Sequence, residues 1–258
     1  MATIHPQALV HPGARLGEGV EIGPFSVIGE HVEIGDGTRV GPHCVIEGHT
    51  RIGRHNVFHG SAQIGCTPQD KKYRQEPTRL VIGDDNSFFH FVTVSTGTIQ
   101  DQGLTEIGND NWVMAYVHVA HDCRIGSHTI LANNTTLAGH VHVADHVFLG
   151  GFTSVHQFCK IGIHAMTAFT AAVTQDVPPY VTAAGNRAAP AGINSEGLKR
   201  RGFTAEQITE IKRAYKLLYR QNLRLEEAIA EITARAADKP ELQAFVDFFP
   251  TASRGLIR

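Results

Sequence analysis

An aliphatic or aromatic residue recurs at every sixth position along the first quarter of this 258-residue chain. The series has no exception from residue 4 to residue 64, and its members are Ile4, Val10, Leu16, Ile22, Ile28, Ile34, Val40, Ile46, Ile52, Phe58 and Ile64. Neither the 3.6-residue period of a helix nor the two-residue period of a strand produces this spacing. A hexapeptide repeat is typical of a parallel β-helix, in which each short strand forms one side of a triangular coil.

The repeat also predicts which side chains face the core. Each aliphatic residue, and the mostly small residue four positions later such as Ala14 or Cys44, should point inward, while their neighbours face solvent. Three hexads complete a coil of about 18 residues, so residues that far apart stack at roughly 4.8 Å. About ten such coils are expected. The sequence therefore predicts an all-β parallel β-helix over residues 1–186.

Two interruptions break this regularity. The segment Cys66 to Thr78 is polar and carries two prolines, and the segment Thr98 to Glu106 adds one residue and shifts the phase of the repeat. From Ile107 to Val173 the period continues in the new phase. Polar excursions from a regular scaffold are places where binding residues concentrate.

The C-terminal quarter has a different character. The segment Val181 to Ile193 is rich in Ala, Gly and Pro and is interpreted as a linker. Thr204 and Gln207 form a capping-box pattern that opens an amphipathic helix, a second helix is expected over Leu225 to Ala237, and Pro240 is expected to begin a third. We therefore expect a small α-helical domain over residues 187–258.

Composition restricts the compartment and the partners. A formal charge of −2 gives no bias toward nucleic acid, so an anionic partner must meet a local basic cluster. The N-terminus has no basic leader, and no apolar run is long enough to span a bilayer, so a cytoplasmic protein without an integral membrane segment is expected. The 4 cysteines show no CxxC pairing and are not expected to form disulfides.

The stretch from His118 to Asp122 contains two imidazoles and a carboxylate within five residues. In a coil of about 18 residues, His121 stacks on Gly139 and Asp122 on His140. A histidine beside an exposed amide is an arrangement that suits acyl transfer to a hydroxyl, with the imidazole removing a proton and the amide binding an oxyanion. Alternatively, His121 is a solvated corner residue, like most of the 16 histidines, and Asp122 is a turn residue.

Several segments together resemble one known family. They are HVAHDC at 118–123, ILANNTTLAGHV at 130–141, GGFTSVHQFC at 150–159, QDVPPYV at 175–181 and NSEGLKRRGF at 194–203. They are similar to the acyl-[acyl carrier protein]:UDP-N-acetylglucosamine O-acyltransferases of Gram-negative bacteria, and the similarity covers essentially the whole chain. The resemblance implies left-handed winding of the coils and a homotrimer with its sites in the clefts between subunits.

The resemblance also implies a reaction. An R-3-hydroxyacyl chain would pass from acyl carrier protein to the 3-hydroxyl of UDP-N-acetylglucosamine, the first step of lipid A and hence lipopolysaccharide biosynthesis. By that match His121 is the general base, Asp122 orients it, and the Gly139 amide stabilises the oxyanion. The thioester is already activated, so no covalent enzyme intermediate, cofactor or metal is expected.

Further binding residues follow from the same match. Those expected to reach the sugar and the thioester are Asp70, Lys72, His118, His140, His156 and Gln157. Those expected at the nucleotide and the carrier are Asn194, Glu196, Arg200 and Arg201. The run Lys199-Arg200-Arg201 also makes sense from charge alone, because a diphosphate and an acidic carrier both need cations, although a solvated charge run is the alternative.

Position 169 is where the family sets the length of the acyl chain. Phe169 should fill the far end of the acyl cleft and favour a medium-length donor, unless it only packs within the stack of coils. The exact length stays open. One departure from the family is Ser95-Thr96-Gly97-Thr98, which stands where many members carry a histidine, so a phosphate or sugar contact is missing or replaced.

Other functions remain possible at this point. A related enzyme would acylate a nitrogen of an amino sugar instead of an oxygen, and acceptance of a 3-amino sugar nucleotide is open. A zinc lyase would need His118, His121 and His140 to converge on one metal. A β-helix without catalytic activity would need neither the histidine cluster nor the polar excursions.

Overall fold

The computed structural model describes all residues, 1–258. Strands of mostly two residues pair with strands one coil away, as Thr3 pairs with Glu21 and Ile4 with Ile22. The pairing is parallel, and it builds three sheets that run the length of the prism. The predicted parallel β-helix is therefore confirmed.

Each of the three sheets takes one strand from every successive coil, so the spatial order of the strands follows the chain. Sheet A contains Thr3–Ile4, Glu21–Ile22, Arg39–Val40, Val57–Phe58, Ser87–Phe88, Trp112–Val113, Ile130–Leu131, Phe148–Leu149, Met166–Thr167, Val181–Ala184 and Ala189–Ile193. Sheet B contains Leu9–Val10, Val27–Ile28, Val45–Ile46, Gln63–Cys66, Thr93–Ser95, His118–Val119, Thr136–Leu137, Ser154–Val155 and Ala172–Val173. Sheet C contains Arg15–Leu16, Glu33–Ile34, His49–Ile52, Arg79–Ile82, Leu104–Ile107, Arg124–Ile125, His142–Val143 and Lys160–Ile161.

The core of the prism is formed by the inward-facing residues of the hexads. Ile46, Val94 and Leu137 are fully buried, and a continuous cluster of 41 buried residues runs through the coils. The small residues between them are polar in places, and each such group needs a partner. Ser26, for example, donates from Oγ to the carbonyl of Gly41 at 2.7 Å and accepts from the amide of Cys44 at 3.0 Å. Buried hydroxyls thus connect one coil to the next.

The corners of the triangle use a backbone conformation that most residues avoid. Corner residues such as His43, His128 and Phe152 have φ values of 59°, 59° and 58°. Histidine, asparagine and aspartate tolerate this left-handed region better than most side chains, but β-branched and bulky residues are disfavoured there. Their side chains project from the corners and stack in columns one coil apart.

Both interruptions of the repeat leave the prism at the same edge. Residues 67–78 and residues 96–103 each connect a strand of sheet B to a strand of sheet C. The sequence prediction that these segments leave the regular coil is confirmed. The edge between sheets B and C, called the B–C corner below, therefore carries the polar segments of the molecule.

The C-terminal region corrects one expectation. Residues 181–193 are not a linker but an antiparallel β-hairpin, in which Ala189–Ile193 pairs with Val181–Ala184 and ends sheet A. Helices α1 (Ser195–Arg200), α2 (Ala205–Tyr219), α3 (Leu225–Ala236) and α4 (Gln243–Phe248) follow, with 3-10 turns at Pro240–Leu242 and Phe249–Thr251.

The predicted capping box of α2 is present. Thr204 Oγ1 accepts from the amide of Gln207 at 3.2 Å, and the Gln207 side chain accepts from the amide of Thr204 at 2.9 Å. The helices share an apolar core of their own, whose fully buried members include Ile211 and Phe245. The tail then returns to the prism, where Ile257 is buried in the core of the coils. No helix has the length and apolar character required to cross a membrane.

Candidate active site

The dyad of His121 and Asp122 lies at the B–C corner, in the turn after the strand His118–Val119. His121 Nδ1 is 2.8 Å from Asp122 Oδ2. The Asp122 side chain is 1% exposed and that of His121 is 15% exposed. A carboxylate at Nδ1 keeps the proton of a neutral imidazole on that nitrogen, so Nε2 of His121 is free to accept a proton.

Asp122 is itself fixed by the second excursion. The amide of Thr98 donates to Oδ1 at 2.8 Å, and the Thr98 hydroxyl donates to Oδ2 at 2.6 Å. The amide of Asp122 donates to Thr105 Oγ1 at 2.8 Å. Burial would by itself raise the pKa of Asp122, but the hydrogen bonds from His121 and Thr98 outweigh it, so this pKa lies below its ordinary value. Asp122 is therefore a buried and ionised carboxylate.

Gly139 lies against the face of His121. A Cβ atom at position 139 would stand 2.6 Å from Cε1 of His121, so a larger residue would displace the imidazole. The amide of Gly139 donates no hydrogen bond within the chain. A free donor therefore adjoins the free nitrogen of a histidine, as the stacking of residues 121 and 139 predicts.

A cavity of about 590 Å³ opens in front of this dyad. Its wall is formed by Gln69, Asp70, Lys71, Lys72, Gln100, Asp101, His121, His140, Gln157 and Phe158. The first excursion supplies Asp70 and Lys72, and the Lys72 amide donates to Asp70 Oδ1 at 2.9 Å. The structure thus brings four of the predicted binding residues together with His121.

Two other predicted residues flank this cavity without lining it. His118 Nδ1 is 2.7 Å from Thr93 Oγ1, and burial, followed by the neighbouring His121, lowers the pKa of His118. His156 Nδ1 contacts the Arg254 guanidinium at 3.1 Å. His118 begins a strand of sheet B, and His156 directly follows the sheet B strand Ser154–Val155.

The predicted nucleotide and carrier residues lie elsewhere in the chain. Asn194, Glu196, Arg200 and Arg201 line a second cavity of about 500 Å³ beside the sheet A residues Ile130, Phe148 and Met166. Asn194 caps helix α1 by accepting from the Gly197 amide at 3.1 Å. Glu196 pairs with Lys199 at 2.7 Å. Within one chain, the two cavities share no lining residue.

Phe169 lies at a third place, the corner between sheets A and B. Its side chain is 67% exposed and packs edge to face on Phe152, with the ring centroids 5.5 Å apart. It lines neither cavity. Ser95, which replaces the usual histidine of the family, is buried, and its Oγ lies 3.8 Å from Cys66 Sγ. Ser95 therefore lies beneath the first excursion and does not line the cavity.

Sequence reasoning missed Thr98 and Asp101. Both belong to the second excursion: Thr98 holds Asp122, and Asp101 lines the cavity. The available signal was the phase shift in the repeat at this segment. The set of three histidines considered for zinc does not converge, because the donor atoms that lie within 4.8 Å of one another belong to His121, Asp122 and His140.

Comparison with known proteins shows which proteins this chain is similar to. A model described as "Udp N-acetylglucosamine O-acyltransferase; Domain 2" matches residues 176–257, and one described as "Bacterial transferase hexapeptide (six repeats)" matches residues 104–139. The chain is 61% identical to the acyl-[acyl-carrier-protein]–UDP-N-acetylglucosamine O-acyltransferase of Janthinobacterium sp. (strain Marseille) and 60% identical to that of Thiobacillus denitrificans, with 100% of both chains covered in each pair.

Solved structures show the same relationship. The UDP-N-acetylglucosamine acyltransferase of Francisella novicida superposes with a TM-score of 0.97 at 43% identity, covering 99% of this chain and 94% of that one. The enzyme of the same name from Campylobacter jejuni gives a TM-score of 0.91 at 35% identity, with 99% of each chain covered. The expected left-handed winding and the helical C-terminal region are shared with these structures.

Proposed function

Because this chain belongs to the acyl-[acyl-carrier-protein]–UDP-N-acetylglucosamine O-acyltransferase family, we propose that it uses His121, Asp122 and Gly139 to acylate the sugar nucleotide. The protein is an acyltransferase of the first step of lipid A biosynthesis. The donor is an acyl carrier protein bearing an R-3-hydroxyacyl chain, and the acceptor is the glucosamine 3-hydroxyl of UDP-N-acetylglucosamine.

The observation that carries the mechanism is the free Nε2 of His121 beside the free amide of Gly139. Nε2 takes the proton of the sugar hydroxyl as its oxygen attacks the thioester carbonyl. The Gly139 amide donates to the carbonyl oxygen as that atom becomes an oxyanion. When the tetrahedral intermediate collapses, the carbon–sulfur bond breaks, and the thiolate of the carrier recovers the proton from His121.

Asp122 acts through His121. Its buried carboxylate accepts from Nδ1 and stabilises the imidazolium that exists between the two proton transfers. Thr98 donates two further hydrogen bonds to this carboxylate, so the charge is held in one place.

The remaining predicted residues are proposed to bind the two substrates. Asp70, Lys72, His140 and Gln157 face the reacting atoms from the wall of the first cavity. His118, on sheet B, and His156, which precedes the lining residue Gln157, border that cavity. In the second cavity, Arg200 and Arg201 supply cations for a diphosphate or an acidic carrier, and Asn194 and Glu196 supply polar contacts for the nucleotide.

The separation of the two cavities supports an oligomer. One substrate would reach both sets of residues if the sheet A face of one chain lay opposite the B–C corner of another. We propose a homotrimer with three such clefts, since cyclic symmetry makes them equivalent. We further propose that the chain divides into a β-helix domain, residues 1–186, and a helical C-terminal domain, residues 187–258. As expected from the sequence, we also propose a cytoplasmic location.

Substitution of His121 by alanine tests the mechanism. Loss of a general base should reduce turnover on the order of 10²- to 10⁴-fold, measured with UDP-N-acetylglucosamine and a 3-hydroxyacyl carrier protein. His31→Ala is the matched control, because His31 lies at the same B–C corner but lines neither cavity. Retention of more than half the wild-type rate by His121→Ala, with the fold intact, would show that His121 is not the base.

A further inference from the structure

The second excursion holds a second carboxylate against a second imidazole of the site. Asp101 Oδ2 lies 3.1 Å from His140 Nδ1. The two side chains are 33% and 13% exposed, so water reaches the pair only in part. Both residues line the cavity in front of the dyad. Asp101 and His140 thus form a second carboxylate–imidazole pair beside that of Asp122 and His121, and its histidine lies one coil after Asp122.

The ring of His140 is fixed in one orientation. It stacks on Phe158, with centroids 4.4 Å apart and an angle of 9° between the ring planes. It meets the ring of His121 edge to face, at 5.1 Å and 88°. With Nδ1 directed at Asp101, the other nitrogen, Nε2, faces the dyad.

Nε2 of His140 is 3.9 Å from Asp122 Oδ2. This is the same oxygen that accepts from His121 Nδ1 at 2.8 Å and from the Thr98 hydroxyl at 2.6 Å. A His140 proton on Nε2 would direct a third N–H toward that oxygen, and a shift of the ring to hydrogen-bond distance would set His140 in competition with His121. If the proton sits on Nδ1, no competition arises.

We propose that Asp101 is a positioning residue, which keeps the proton of neutral His140 on Nδ1 and so reserves Asp122 for His121. The proposal rests on the proposed function of the dyad. A hydrogen bond from one ring nitrogen decides which tautomer a histidine adopts, so the carboxylate at Nδ1 supplies the required bias. It also leaves Nε2 of His140 as an acceptor, suited to a hydroxyl or amide donor of a substrate.

The tautomer can be measured without any assay of activity. In protein labelled with ¹⁵N-histidine, the His140 signals are those missing from His140→Gln, and their shifts at a pH where the ring is neutral report which nitrogen carries the proton. We expect the Nδ1–H form in the wild type and a gain of the Nε2–H form in Asp101→Ala. Asp101→Glu, which keeps the carboxylate, should restore the wild-type form.

A matched control is available on the surface. Asp110 contacts His128 Nδ1 at 2.7 Å, an exposed pair outside the cavity. Asp110→Ala should leave the His140 signals and the activity unchanged. An unaltered His140 tautomer in Asp101→Ala would overturn the proposal.

Kinetics test the consequence for the dyad. We expect Asp101→Ala to lower kcat about tenfold, as loss of an outer partner of a functional histidine does, with a smaller change in KM. In a His140→Ala background, removal of Asp101 should lower kcat no further, because the competing donor is already gone. An equal loss in both backgrounds would mean that Asp101 only supports the loop, and would overturn the proposal.

Separate measurements would refute the proposed function and the proposed role of Asp101. A wild-type protein that transfers no acyl group to UDP-N-acetylglucosamine would refute the proposed function, while the tautomer measurement would still test the contact between Asp101 and His140. An active wild type with a His140 tautomer indifferent to Asp101 would refute only the role of Asp101.

Discussion

We propose that Phe169 sets substrate selectivity at a distance from the chemistry. Its ring lies on Gly151, where an added Cβ would approach to 3.2 Å, and it projects from the corner between sheets A and B with 67% of its surface exposed. An exposed apolar ring gains free energy when an apolar neighbour covers it. An acyl chain in an adjoining cleft would supply one, and the phenyl ring would limit its length.

We expect Phe169→Gly to shift the preferred donor to a longer 3-hydroxyacyl chain. Each methylene admitted to the cleft contributes roughly 0.8 kcal/mol, so two methylenes change the selectivity about fifteenfold. Competition between carrier-bound donors of different length measures the ratio. Phe25→Gly, at the same corner but near the other end of the prism, is the control. If the glycine variant at position 169 keeps the wild-type preference, Phe169 is not the stop.

The site residues that could be predicted from the sequence lie within the regular repeat, and those that could not lie in an irregular loop. Stacking at a fixed interval relates His121 to Gly139 and Asp122 to His140, so these contacts could be derived by counting. Thr98 and Asp101 lie in residues 96–103, where the repeat gives no register. Their contacts with Asp122 and His140 depend on the path of an irregular loop, and only the structure provides that path.

At the scale of elements, the repeat determined the strands but not the segment that follows them. Every strand of the coils has an inward residue that the six-residue period identifies. Within residues 181–193, Val181–Ala184 pairs parallel with the last coil, but Ala189–Ile193 turns back on it antiparallel and no longer follows the six-residue period. Helix α1 has only 6 residues, and its start depends on Asn194 as the cap, which no periodic signal marks.

The corner between sheets C and A carries a column of stacked imidazoles. Because of this column, the folding stability of the protein should depend on pH. His128, His146 and His164 stack with centroids 4.8 and 4.7 Å apart. The pKa of His164 is lowered to about 4, mainly by burial and then by His146 and Arg201, while Asp145 opposes them. The folded protein therefore binds this proton less readily than the unfolded chain does.

We expect the stability to fall as the pH decreases from about 6.5 toward 4. Over that range the unfolded His164 is protonated and the folded one is not, so at pH 5 the loss is about 2 kcal/mol. Thermal unfolding at pH 7 and pH 5 measures it. His164→Asn, which suits the φ of 58°, should reduce the difference between the two midpoints. An unchanged difference would exclude His164 as the source.

For the whole molecule, the most informative surface is the corner between sheets A and B. Phe91, Tyr116 and Phe152 are 49%, 55% and 52% exposed there, and Phe91 and Tyr116 stack at 4.9 Å. Aromatic side chains aligned along one edge of a protein mark an interaction surface. A second and third copy of the chain would cover this edge in the proposed trimer.

We expect the wild type to sediment as a trimer and the double variant Phe91→Asp, Tyr116→Asp as a smaller species with little activity. Buried carboxylates would repel one another across the interface, and each cleft would lose one of its two walls. His55→Asp is the control, since His55 is also a corner residue with positive φ but belongs to the corner between sheets C and A. A fully active monomer would contradict the proposal that the clefts lie between subunits.

The hairpin that ends sheet A has a consequence for solubility. A stack of parallel strands exposes unpaired amides and carbonyls at its end, and such an edge is a template for the addition of another stack. Here Ala189–Ile193 occupies that edge, Pro190 within it has no amide to donate, and Tyr215 of helix α2 donates its hydroxyl to the Pro190 carbonyl at 3.2 Å. Sheet A is thereby blocked at this end as a template for end-to-end polymerisation into fibres.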